Sequence, residues 1–150
     1  MSAETKCADC TYLESRGYAM TKRLADGVGV DEAVEKVIAA MKAQKFGLPP
    51  GTTNMKAGEI MVAKGLSTEL KKFRMLGFCS PPEAHTVMTT EPILALFLPC
   101  SCIVVETPAG HTEIAIIDPL AMMGFSTKKD ELMEVVTNVR SRLQAALQAV

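Results

Sequence analysis

The sequence has no tryptophan and only two tyrosines and five phenylalanines in 150 residues. It therefore offers few flat side chains on which nucleobases could stack. It also lacks a basic block: 16 Lys and Arg stand against 17 Asp and Glu, for a net charge of −1. That balance leaves no cluster to neutralise phosphates and argues against a nucleic-acid partner. No apolar run is long enough to span a bilayer. The longest, from Ile93 to Val105, is broken by Pro99 and Ser101 and falls short of the roughly 20 residues a spanning helix needs. The first residues, "MSAETKCADC", contain no apolar signal region, so a cytoplasmic protein without membrane insertion is expected. Also missing are a phosphate-cradling Gly-rich loop with Lys and Ser or Thr, a Gly-x-Ser-x-Gly elbow and a zinc-protease histidine pair. Those absences favour a binding protein over an enzyme.

What is present suits one core. Hydrophobic residues make up 48% of the chain, ordinary for a globular protein of this length. Residues 1–17 read as an irregular leader and 18–150 as one α+β domain. "YAMTKRLAD" reads as a first strand. In the next segment Val30, Ala33, Val34, Val37, Ile38 and Met41 repeat with helical spacing. Gly29 or Asp31 can cap that helix and Gly47 can close it. Pro49 and Pro50 weaken any strand near them, and a short helix fits Met55 to Lys64. "KKFRMLGFC" alternates as a strand ending at Cys79, and Pro81 and Pro82 suit the first turn of a helix that stops before Pro92. "CIVVE" and "HTEIAIID", joined by "TPAG", predict an antiparallel hairpin. Thr127 and Asp130 resemble a capping box. The last helix carries Leu132, Val136, Val139, Leu143, Ala146 and Val150 as a narrow seam for a sheet or a second subunit. The whole predicts a mostly antiparallel sheet with helices on one face and a long C-terminal helix.

The chemistry, if any, lies in sulfur. Five cysteines are an odd number, which excludes complete internal disulfide pairing. Cys7 and Cys10 form a Cys-x-x-Cys pair in the leader, without a second pair to complete a zinc site. Cys100 and Cys102 lie on one face of a strand. Cys102 reads as core, whereas Cys100, just behind Pro99 at the strand's entrance, reads as the thiol a loop can expose. Cys79 ends another strand, so the two thiols can meet at one rim of the sheet, with His85 reaching in from the following helix. Such a set suits zinc, copper or haem. Met123, beside Met122, adds a thioether, although core filling is its commoner role. His111 is expected to be solvated.

"LGFCSPPEAHTVMTTEP", "LFLPCSCIVVE" and "IAIIDPLAMM" together resemble the domain of unknown function 302 family of bacteria and archaea. The resemblance runs from about residue 18 to 148 and implies a β-α-β(4)-α fold and a homodimer. It places Cys79, Pro81, His85, Pro99, Cys100, Asp118, Pro119 and Met123 on motif positions. Ser80 replaces the usual Asn, and Pro49 and Pro50 fall where the family runs its second strand, which should be short, displaced or absent here. A redox or sulfur-handling partner is the further implication. Three functions follow as expectations: a soft-ligand site at Cys79 and Cys100, a thiol redox or sulfur-carrier protein acting through Cys100, or a dimeric scaffold with structural cysteines.

Overall fold

The computed structural model describes residues 12–13, 17–51, 54–66, 69 and 72–150; Cys7 and Cys10 lie outside them. Five antiparallel strands form one open sheet in the order β1-β5-β4-β3-β2. They are β1 (Ala19–Arg23), β2 (Met55–Lys56), β3 (Phe73–Phe78), β4 (Cys100–Glu106) and β5 (Thr112–Ile117). The helices are α1 (Val30–Ala43), α2 (Ala57–Ala63), α3 (Pro81–Thr90) and α4 (Lys129–Ala149), with 3-10 turns at Pro92–Phe97 and Pro119–Gly124. This is the β-α-β(4)-α order, with a short helix after β2 and another after β3.

Strand alternation decides which side chains meet the helices. Met20, Leu76, Phe78, Cys100, Cys102, Val104, Ile114 and Ile116 share one core with Val30, Ala33, Val34, Val37 and Met41 of α1 and Val139, Leu143, Ala146 and Leu147 of α4. Each large apolar side chain buried there contributes about 1.5–3 kcal/mol relative to exposure. The first half of α4 belongs to a second cluster, in which Leu132 and Val136 meet Val87, Leu94, Met122 and Met123. The predicted seam of α4 is thus one stripe serving two cores. Its last turn leaves carbonyls without helical partners, and Lys22 Nζ donates to those of Leu147, Gln148 and Val150 at 3.0–3.2 Å.

Several local expectations are corrected. Gly47 does not close α1. Gln44 caps the helix and Lys45 takes the positive φ of 64°, while Gly47 pairs with Cys79 in an isolated bridge. Thr127 and Asp130 form no capping box: the cap of α4 is Lys128 without a side-chain bond. The Thr127 amide and hydroxyl instead donate to buried Glu91, as does the Ser126 hydroxyl. The carboxylate, by accepting them, joins the end of α3 to the start of α4. His111 is half-buried, with ring nitrogens at 2.7 and 2.9 Å from Arg23 Nη2. The two-residue β2 agrees with the weakening expected from the proline pair. No helix among the described residues is long and apolar enough to cross a membrane.

Candidate thiol-lined cavity

Antiparallel register brings the two strand-end thiols to one rim of the sheet. Phe78 is the partner of Cys100 across β3 and β4, so Cys79 lies one residue beyond that pair. Cys79 is held there by its own backbone: its N–H donates to Gly47 O at 2.9 Å, and the Gly47 N–H donates to Cys79 O at 2.8 Å. Both cysteines line a narrow cavity of about 30 Å³, walled by Phe46, Phe78, Leu98, Met122, Val136 and others. That is room for a water or two. Leu98, Cys100, Pro119 and Met122 also form a wall of a neighbouring apolar cleft of about 300 Å³. Its outer lip carries Phe97 and Phe125, stacked with ring centroids 5.6 Å apart.

Burial sets the state of the thiols, because an apolar surround penalises the charged form. The Cys100 thiol is pushed from 9.0 up to about 11 by burial, with the Cys79 sulfur adding repulsion. Cys102, wholly enclosed, is pushed up to about 12. Cys79 is raised by burial and then by the charge of Glu83. The expectation of an exposed Cys100 is therefore corrected. The strand entrance is roofed by Leu98, Pro119 and Met122, leaving Cys100 only 7% exposed.

A polar clasp closes the side of the cavity nearest Cys79. Arg142 Nη1 donates to Glu83 Oε1 at 2.9 Å, Nη2 to Ser80 Oγ at 3.0 Å, and Nε and Nη2 to Gln44 O at 3.1 and 2.7 Å. The guanidinium also lies 4.6 Å from the centroid of Phe46, within cation–π range. The Ser80 hydroxyl donates to the other oxygen of Glu83. Burial alone would raise the Glu83 carboxyl; the hydrogen bonds from Ser80 and its own backbone, with the charge of Arg142, outweigh burial and hold it below the usual carboxylate range.

The cleft has its own anchor. Asp118 accepts from Leu120 N at 3.0 Å, which starts the Pro119–Gly124 turn, and from Arg140 Nε at 2.9 Å. Its own N–H donates to Tyr18 O at 2.7 Å. Asp118 and Pro119 thereby fix the turn that carries Met122 over Cys100.

Of the sequence-predicted site residues, Cys79 and Cys100 share the cavity. His85 is exposed on α3 and does not line it. It points outward because Ala84 and Val87 take the buried positions of that helix. Met123 is packed in the second core, and its neighbour Met122 lines the cavity instead. Among the described residues no group of three or more His, Cys, Asp or Glu could hold a metal ion. Sequence reasoning missed Arg142, Glu83 and Phe46. One signal was available: Ser80 and Glu83 stand in capping-box spacing.

The sheet order, register and roofed rim define the molecule as an α+β protein of β-α-β(4)-α topology. The domain of unknown function DUF302 matches residues 20–150, and the chain belongs to that family. A similar solved structure is the crystal structure of an uncharacterized conserved DUF302 protein from Bacillus stearothermophilus, with a TM-score of 0.78 at 25% identity, covering 89% of this chain and 98% of that one. No curated protein matches the chain.

Proposed function

We propose that this is a cytoplasmic binding protein whose Cys79 and Cys100 hold one soft monovalent cation, Cu(I), with Met122 as the adjoining thioether. The observation that carries the reading is the convergence of two thiols and a thioether on a single apolar cavity of about 30 Å³. Thiolate and thioether are the ligands Cu(I) selects, and two thiolates suffice for its linear coordination. Tetrahedral zinc asks for four ligands, more than the described residues bring together. A porphyrin is far larger than the cavity. Binding would displace both thiol protons, and the single positive charge of Cu(I) would offset one of the two thiolate charges, leaving the site at net −1 on the side that the Arg142 guanidinium closes. A reducing compartment keeps such thiols available.

The raised Cys100 thiol weighs against the sulfur-carrier reading, which needs a thiolate near neutral pH.

The test is competitive Cu(I) titration in a Cys7→Ser/Cys10→Ser background, which removes the leader thiols. One Cu(I) per chain is expected. It should be lost in Cys79→Ser and Cys100→Ser and kept in His85→Ala. Unchanged binding in both serine variants, or no binding in the background chain, would overturn the proposal.

A further inference from the structure

Helix α2 is the least supported element of the fold. Within Ala57–Ala63 only Gly58 is buried. Ile60, Met61, Val62 and the nearby Leu66 are 42–55% exposed. Successive helical residues are turned by about 100°, so three consecutive exposed apolar side chains cannot all be turned to this protein's own sheet. The helix stands proud of the sheet edge.

Its base is nevertheless fixed. Arg74 of β3, almost fully buried, donates from Nη1 to Glu59 at 2.8 Å and from Nη2 to Asp31 of α1 at 3.2 Å. This ion pair also engages the one acidic side chain of α2. Lys56, Lys64 and Lys72 remain exposed around the apolar residues, with no ion pair among the described residues. In the sequence, residues 55–75 hold five basic and two acidic residues, a net +3 in a chain whose total is −1. Apolar projection and positive charge are thus concentrated in one segment.

We propose that α2 and its flanking lysines form a peripheral docking surface for an anionic lipid bilayer, with Ile60, Met61, Val62 and Leu66 entering the headgroup region. Apolar insertion combined with lysine attraction is the pattern of interfacial membrane binding. A bilayer interface receives a protruding helix without a preformed groove. A second copy fits poorly, because a twofold contact through this patch sets lysines against lysines. This surface is independent of the thiol cavity.

The experiment is co-flotation of the full chain with vesicles of phosphatidylcholine alone, or of roughly three parts phosphatidylcholine to one of phosphatidylglycerol. Binding is expected only to the anionic vesicles and should weaken with added salt. It should fall about tenfold or more in Ile60→Asp/Val62→Asp and in Lys64→Glu/Lys72→Glu. Circular dichroism unchanged from the parent checks that each variant is folded. Failure to float with anionic vesicles, or equal flotation of the aspartate variant, would overturn the proposal. So would an apolar patch that governs self-association, shown by variants that alter sedimentation mass but not flotation.

Discussion

Alkylation of Cys100 gives the sharpest test of the buried rim. The free thiol value of 9.0 becomes about 11 in the folded chain. At about pH 7.5 that lowers the thiolate population about a hundredfold. A more basic thiolate is the better nucleophile, and a Brønsted slope of roughly 0.45 returns about eightfold. Cys100 should therefore react with iodoacetamide about tenfold more slowly than free cysteine, before any steric shielding by Leu98 and Met122. The assay is peptide-resolved mass spectrometry of the folded chain labelled across a pH series. The Cys100 rate should rise about tenfold per pH unit and show no plateau below about pH 10. Cys102 should stay unlabelled until the protein unfolds. A Cys100 rate at or above that of free cysteine, or a plateau below about pH 8, would show an activated thiolate and refute the burial argument.

Two further outcomes follow from the same geometry. The folded Cys100 and Cys102 thiols lie above their unfolded value of 9.0, so between that pH and their folded values the unfolded chain binds fewer protons and stability falls as pH rises. Each thiol should remove about 1.4 kcal/mol per pH unit in that window, and Cys102→Ala should flatten the fall seen by guanidinium denaturation; a slope unchanged in that variant would contradict it. Arg140→Met should cost about 3 kcal/mol in the same assay by stranding buried Asp118, and adding Asp118→Asn should restore part of the loss; strictly additive losses in the double-mutant cycle would show that the pair is not coupled.

Periodicity made most of the fold legible. The α1 positions, the β4–β5 hairpin and the six-residue seam of α4 each report which side of one element is buried, and the buried sets agree with them except at Ile38 and Val150, which are only partly buried, while Leu147 takes the last buried position of α4. Caps were less legible, because Thr127 and Gly47 have partners far away in the chain: Glu91 for one and Cys79 for the other. A local pattern such as Thr-x-x-Asp cannot register a carboxylate 36 residues earlier.

The same distinction governs the site. Spacing placed Cys100 correctly at the entrance of β4 and Cys79 at the end of β3. It could not show what covers them, since Arg142 reaches Ser80 across 62 residues and Gln44 across 98. Roofing changes the chemistry more than position does. An exposed thiol at a strand entrance invites a lowered pKa and nucleophilic work, whereas the same thiol under Leu98, Pro119 and Met122 is protonated and slower than free cysteine toward soft electrophiles at neutral pH. A cation that takes the place of the protons is the natural partner for such a pair, because it offsets one of the two negative charges at the moment the thiolates form. Cu(I) affinity should therefore strengthen as pH rises toward the thiol values, and Cys79→Ser should abolish that dependence along with the binding.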